Sequence, residues 1–336
     1  MRILENYSLL KHNTFNLDVK TRWFIEYENE EDLSKLLQDE YFHSQAFWHI
    51  GQGSNLLFLD NFNGIIIHSA IKGIEKVKED NKHIYLKVGA AETFDDFVAY
   101  CVDNGLGGIE NLSNIPGEVG ASAFQNIGAY GVEAGDRIEE VHTYSLQDSE
   151  KEIFQNEDCE FSYRHSIFKN EELKGWYYIT HVVYRLDKNP EFKLDYGNLR
   201  AYLKEGEPTL QSIREAVISL RASKLPDPTE LGNAGSFFMN PYLTNEAYFR
   251  LKEKYSDIPF YPVDKERVKV PAAWLIDRAG LKGKTLGGAK IHEKQPLVII
   301  NTGTATGKDI ADLAEEVKKT VLEQFGIELH PEVNYI

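Results

Sequence analysis

Two glycine-rich stretches carry residue types suited to an anionic ligand. One is Gly51-Gln52-Gly53-Ser54-Asn55; the other runs from Asn114-Ile115-Pro116-Gly117-Glu118-Val119-Gly120-Ala121-Ser122 into Gln125-Asn126-Ile127-Gly128-Ala129-Tyr130-Gly131. Glycines let the main chain approach closely and aim several N–H groups at phosphate oxygens, while Ser54, Asn55, Ser122 and Asn126 add neutral donors. A pyrophosphate held this way needs little formal positive charge. Read singly, each stretch is a set of tight turns; together they point to a nucleotide cofactor.

Two common phosphate-binding patterns fail. Gly303-Thr304-Ala305-Thr306-Gly307-Lys308 has one residue too few between its glycines for a P-loop, and Asp309 stands where Ser or Thr should hold magnesium, so it reads as a helix-start loop. No Gly-x-Gly-x-x-Gly follows a strand either: Gly51 and Gly53 are succeeded by Leu56, and Gly105, Gly107 and Gly108 by Glu110. A standard Rossmann domain is disfavoured.

The elements that must position these loops follow from periodicity. A short helix is predicted over 30–39, then a strand at 47–50, the first glycine loop and a strand at 56–59. Residues 82–89 read as a strand, and 93–104 as a helix with Phe94, Phe97, Val98, Cys101 and Val102 on one face. Strands follow at 139–146 and 176–186, then helices over 209–223, 271–279 and 309–325, and a strand-like tail over 327–336. The first half is thus α+β and rich in strands, and a composition shift over 204–208 marks the clearest domain boundary.

A chain of 336 residues exceeds one ordinary hydrophobic core, and its 42% apolar content is ample for more than one. The net charge of −16 argues against broad nucleic-acid binding, which needs a continuous cationic surface, so an anionic ligand must meet locally placed cations. The two cysteines, Cys101 and Cys159, have no metal-site spacing; neither a disulfide framework nor a zinc site is expected. No apolar run is long enough to span a membrane, and the first dozen residues lack a signal-peptide core. The expectation is a cytoplasmic protein without membrane or metal.

The run Ile115-Pro116-Gly117-Glu118-Val119-Gly120 with Asn126-Ile127-Gly128-Ala129-Tyr130-Gly131, then Tyr163-Arg164, then Gly232-Asn233-Ala234-Gly235-Ser236-Phe237-Phe238, and finally Pro331-Glu332 resembles the UDP-N-acetylenolpyruvoylglucosamine reductase family, in family order and over nearly the full length. Asn13-Thr14-Phe15 and the Gly51–Asn55 loop match the family's flavin domain. The resemblance implies an α+β fold: an FAD-binding fold of the vanillyl-alcohol-oxidase (PCMH) type in two subdomains, 1–70 with 327–336 and 71–207, plus a separate α+β substrate-binding domain over 208–326. It implies FAD held by Gly51, Gly53, Ser54, Asn55, Gly117, Gly120, Ala121, Ser122, Asn126 and Gly128, with NADPH as hydride donor. The substrate it implies is a UDP-sugar enolpyruvate, in a chain expected to be monomeric.

Roles follow from the same resemblance. Hydride delivery to C3 of the enol ether leaves carbanion character at C2, which Arg164 and Glu332 would stabilise and Ser236 would protonate. Read alone, these three are an ion-pair partner, a solvated carboxylate and a turn residue. Tyr196, in Asp195-Tyr196-Gly197-Asn198-Leu199, matches the loop that folds over the nucleotide in the form of the family that has it. Arg221 and Lys224 match the diphosphate cations, and Asn240 and Tyr261 the polar lining of the same pocket. Met239 departs from the family, which commonly carries lysine there. An alcohol oxidase on the same flavin fold and an inactive nucleotide-sugar sensor are the alternatives left open.

Overall fold

The computed structural model describes residues 1–196, 198–203 and 206–336. Lys204 and Glu205, in the composition shift, and Gly197, in the tyrosine loop, lie outside the described residues. The chain forms two compact units. The first comprises Met1–Tyr7, Thr21–Gln52 and Asn63–Ser223, the second Ser8–Lys20, Gly53–Phe62 and Lys224–Ile336.

The first unit is built on two sheets. One has the strand order Arg2–Ser8, Lys20–Tyr27, Phe62–Ser69, Phe47–Ile50, with the last two parallel. Ile25, Tyr27, Ile65 and Ile67 bury one face of it against Leu33, Leu36 and Leu37 of helix Glu30–Leu37, whose first turn is capped by the Asn29 side chain. The other sheet is antiparallel, in the order Lys151–Gln155, Ile138–Ser145, Tyr177–Asp187, His83–Gly89, Ile74–Glu79. Helix Phe94–Asp103 lays Phe94, Phe97, Val98 and Cys101 in its core, as the spacing predicts. Burial pushes the Cys101 thiol pKa up, the signature of a packing residue.

Helix Val119–Gln125 lies inside the stretch whose glycines read as turn. Glycine is a poor helix former, but Val119 and Ala123 are buried in the same core, and a Cβ at Gly120 would stand only 3.0 Å from Ala90. Tertiary packing overrides the local preference here. Helix Leu210–Lys224 packs Ile213, Ala216, Val217 and Leu220 against Leu194 and Leu199, also within the first unit.

The second unit has one core. Helix Gly307–Phe325 contributes Ile310, Leu313, Val317, Val321 and Phe325 to it. Thr306 accepts from the Asp309 N–H while Asp309 accepts from the Thr306 N–H, so the P-loop look-alike is a capping box at a helix start. Two small antiparallel sheets and helices Asn245–Lys254 and Ala272–Arg278 complete the unit. The tail returns to the first glycine loop: Asn334–Tyr335 pairs in parallel with Leu56–Leu57, and the Leu59 N–H donates to the Ile336 carbonyl at 2.9 Å. No helix among the described residues is long and apolar enough to cross a membrane.

Candidate active site

In the first unit, a tight hairpin gathers several expected residues. Gly128–Ala129 pairs with Val132–Glu133, and the two turn residues have positive φ, 48° at Tyr130 and 81° at Gly131. That is the backbone of a two-residue hairpin turn, which favours glycine at such positions. Asn126 stabilises the approach to it: left-handed at φ 44°, it accepts from the Gly135 N–H at 2.8 Å and donates to Glu133 Oε2 at 2.9 Å and to the Ser162 carbonyl at 2.8 Å.

Arg164 reaches this hairpin from a left-handed backbone position of its own, φ 56°. Its Nη2 donates to the Gly128 carbonyl at 2.9 Å, and its guanidinium lies 5.2 Å from the centre of the Tyr163 ring. Arg221, near the end of helix Leu210–Lys224, donates from Nε to the Asn114 carbonyl at 3.0 Å. Asp95 ties these pieces down by accepting from the Asn114 N–H at 2.5 Å and, bidentately, from Arg214 at 2.6 and 2.9 Å. Burial pulls the Arg221 pKa below its usual value; Tyr130 and Asp95 oppose that pull, and the Arg164 charge adds to it. Two guanidinium groups that feel each other's charge gain from an anion near them. Tyr196 is exposed and lies over Gly131, where an added Cβ would meet its Cβ at 3.4 Å.

The long glycine stretch faces the same unit's interior more than expected. Ser122 is buried, donates to the Val119 carbonyl at 2.6 Å and shares a 2.5 Å hydrogen bond with the Tyr184 hydroxyl. The side chains of Ser122 and Asn126 are therefore engaged by the protein, and the buried Gly120 donates its N–H to the Ala90 carbonyl at 2.9 Å, leaving the main chain of Gly117, Ala121 and Gly128 as the surface this stretch can offer a phosphate. Gly117 is left-handed at φ 121° and its carbonyl accepts from the Phe94 N–H at 2.9 Å. Gly51 leaves little room for a side chain, since a Cβ there would come 2.7 Å from Glu118 Oε2 and the carboxylate would have to shift.

In the second unit, Ser236 and Glu332 stand on neighbouring antiparallel segments. The Glu332 N–H donates to the Phe237 carbonyl at 2.8 Å, Phe238 bridges Pro331, and the Met239 N–H donates to the His330 carbonyl at 2.9 Å. Phe237 and Phe238 are buried on either side of this pairing, while Ser236 and Glu332 are half-buried. The turn before Ser236 is set by Gly235 at φ 69°, whose N–H donates to Asn233 Oδ1 at 2.9 Å. Asn55 joins them: its Nδ2 donates to the Glu332 carbonyl at 3.0 Å and its carbonyl accepts from the Asn334 N–H at 3.0 Å. Ser54 is half-buried on the same loop.

The remaining expected binding residues of this unit are less gathered. Asn240 accepts from the Ala272 N–H at 2.9 Å at the start of helix Ala272–Arg278; Tyr261 is exposed on the short strand Tyr261–Pro262; Lys224 is exposed. The structure thus assembles Gly128, Arg164, Tyr196 and Arg221 in one unit and Asn55, Ser236 and Glu332 in the other. Sequence reasoning missed Tyr130 and Asp95, which organise the first group. The Ala129-Tyr130-Gly131 triplet was a legible turn signal for Tyr130, whereas Asp95 gave none.

Within the first unit, Gly51 and the main chain of Gly117, Ala121 and Gly128 are neutral, close-approach donors of the kind that fits an FAD pyrophosphate. In the second unit Gly53 has the least room of its loop, left-handed at φ 70° and with a Cβ position only 2.0 Å from the His12 carbonyl oxygen. Gly53→Ala is expected to cost at least about 1–3 kcal/mol of stability from backbone strain and to lower flavin occupancy, measured by denaturant unfolding and by flavin absorbance of the purified variant.

Residues 22–148 match the FAD binding domain family, and residues 227–336 match the UDP-N-acetylenolpyruvoylglucosamine reductase C-terminal domain family. The UDP-N-acetylenolpyruvoylglucosamine reductase of Porphyromonas gingivalis is 50% identical over 338 residues, covering 100% of both chains. That of Bacteroides fragilis is 48% identical over 333 residues, covering 99% of both. Among solved structures, UDP-N-acetylenolpyruvylglucosamine reductase (MurB) from Thermus caldophilus aligns over 100% of this chain and 99% of its own, with a TM-score of 0.68 at 24% identity. A solvent-stable cholesterol oxidase aligns over 98% and 86%, with a TM-score of 0.53 at 11% identity. The last two bear on the fold alone, which is α+β; the FAD-binding portion and the separate C-terminal domain follow from the two family matches.

Proposed function

We infer, from the premise that this chain belongs to the UDP-N-acetylenolpyruvoylglucosamine reductase family, that it is an FAD-dependent oxidoreductase reducing the enolpyruvyl group of UDP-N-acetylglucosamine enolpyruvate to UDP-N-acetylmuramate. NADPH is the hydride donor, and the reaction serves peptidoglycan precursor synthesis. The observation that carries this reading is that relatives 50% identical over the full length bear that name. Bound FAD supplies the chemistry of accepting hydride from NADPH and passing it to C3 of the enol ether.

The protein's own residues have separable tasks. Gly51, Gly53, Ser54, Asn55, Gly117, Gly120, Ala121, Ser122, Asn126 and Gly128 form the two loops assigned to the cofactor, with Ser122 and Asn126 acting through the backbone they stabilise. Arg164 is assigned to the substrate carboxylate, where its guanidinium accepts the enediolate-like charge that develops as C2 becomes a carbanion. Glu332 is assigned to stabilising the same state. Ser236 delivers the proton to C2; a hydroxyl is a weak acid, so this works only against a strongly basic carbon and from a fixed position. The turn and strand pairing around Ser236 supply such a position. Arg221 and Lys224 are assigned to the diphosphate, Tyr196 to closing over the nucleotide, and Asn240 and Tyr261 to the pocket lining.

The assigned functional division is 1–70 with 327–336 and 71–207 for the cofactor and 208–326 for the substrate, in a cytoplasmic monomer; the compact units divide the chain differently, with 210–223 in the first and 327–336 in the second. The test is NADPH consumption: it should require the UDP-sugar enolpyruvate and proceed with little oxygen uptake. Oxygen uptake that matches NADPH loss without that substrate would replace this reading with an oxidase.

A further inference from the structure

Behind Gly51 in the first unit lies an ionic triad, buried at His68 and Glu118 and half-buried at Glu26, that the proposed reaction does not use. His68, on strand Phe62–Ser69, is 9% exposed. Its Nδ1 lies 3.2 Å from Glu26 Oε2 and its Nε2 3.1 Å from Glu118 Oε1. Glu118 is 6% exposed and precedes helix Val119–Gln125, and its other oxygen is the atom 2.7 Å from the Cβ position of Gly51. A buried carboxylate therefore abuts the loop assigned to a pyrophosphate, an arrangement that repels the ligand unless the carboxylate is neutralised.

We propose that His68 is a positioning residue for the cofactor: as an imidazolium held between Glu26 and Glu118 it neutralises Glu118 and holds that carboxylate in place behind Gly51, letting the loop accept the FAD pyrophosphate. This rests on reading the Gly51 loop as part of the FAD site.

The surroundings agree on where the charge sits. The groups facing His68 include Glu26 on strand Lys20–Tyr27, itself 3.7 Å from the Arg2 guanidinium, Glu118, the Phe24 ring, and His49 on strand Phe47–Ile50. Burial, with the His68 charge adding to it, pushes His49 down to about 3, so His49 is neutral; it pairs with the Tyr27 hydroxyl at 2.9 Å. Burial also works against charge on His68, but Glu118 and then Glu26 outweigh it and hold the imidazole above its ordinary range. A raised pKa in the assembled site means that the benefit is full below the ordinary histidine range and is lost as pH rises through the raised value. An added pyrophosphate raises it further, so FAD affinity falls as pH climbs through the raised value of the FAD-free site and levels off above the still higher value of the complex.

The experiment is the FAD dissociation constant of the full chain, from quenching of flavin fluorescence between about pH 6 and about pH 9. For the wild type, affinity is expected to weaken about tenfold or more across this range. His68→Gln should bind weakly at every pH with the dependence gone, and adding Glu118→Gln to it should recover most of the affinity by removing the repelling charge. Recovery on deleting a carboxylate is a result that a merely space-filling histidine would not give. A wild-type affinity flat over the range overturns the proposal even if the variants fail to fold, as does a double variant that folds and binds no better than His68→Gln. A chain that binds no FAD at any pH overturns the cofactor reading and this proposal with it.

Discussion

Replacing Ser236 with alanine is expected to leave reduction of bound flavin by NADPH within a few-fold of wild type and to slow its reoxidation by the UDP-sugar enolpyruvate by about 10²- to 10⁴-fold. The asymmetry follows from chemistry. Hydride arrival from NADPH needs no proton at C2, whereas completing the second half-reaction does. The substitution should be structurally quiet, because the backbone around Ser236 is held by its neighbours: Gly235 by the Asn233 side chain, Phe237 by the Leu297 carbonyl and the Glu332 N–H. Stopped-flow absorbance separates the two steps. Reoxidation at the wild-type rate would remove Ser236 from the mechanism.

Arg164→Lys is expected to produce the second-largest loss, about 10²- to 10³-fold in the same reoxidation step, with NADPH-driven reduction nearly unchanged. Lysine keeps the charge, so the variant isolates what the guanidinium geometry contributes. Arginine can spend one donor on the Gly128 carbonyl, as Nη2 does here at 2.9 Å, and still present a planar pair of donors to a carboxylate. An ammonium group has no such fork. Single-turnover measurements with saturating substrate give the comparison. A reoxidation rate within about two-fold of wild type would assign the arginine to structure, and equal damage to both half-reactions would indicate a misassembled hairpin.

These two residues also show how unevenly the sequence declares its contents. Amphipathic helices such as Phe94–Asp103 and Gly307–Phe325 are legible because a 3.6-residue period is a local signal. The strands Arg2–Ser8 and Lys20–Tyr27 are not: Arg2–Ser8 buries no residue, and their polar residues hide the period-two pattern. Helix Val119–Gln125 is hidden by its own glycine, since what stabilises it is contact with distant parts of the chain. The catalytic candidates were legible only as a joint motif. Nothing local to Ser236 distinguishes it from an ordinary turn serine, and its alignment with Glu332 comes from pairing between segments nearly a hundred residues apart.

Side-chain direction was the least legible feature. Ser122 and Asn126 have the right types for phosphate donors, yet both turn inward to satisfy buried protein groups, because polar atoms taken from water require partners. The pairing of His68 with Glu118 has no sequence signature at all, being a contact across 50 positions. Glu118 was in view as part of a glycine motif, but its closeness to Gly51 is a property of the folded chain.

The most direct test of the whole account is the anaerobic visible spectrum of the purified protein through one cycle. The protein should be yellow, bleach on addition of NADPH, and regain its colour on addition of the UDP-sugar enolpyruvate with formation of UDP-N-acetylmuramate. A colourless protein that takes up no flavin, or a bleached one whose colour returns only when oxygen is admitted, would contradict it.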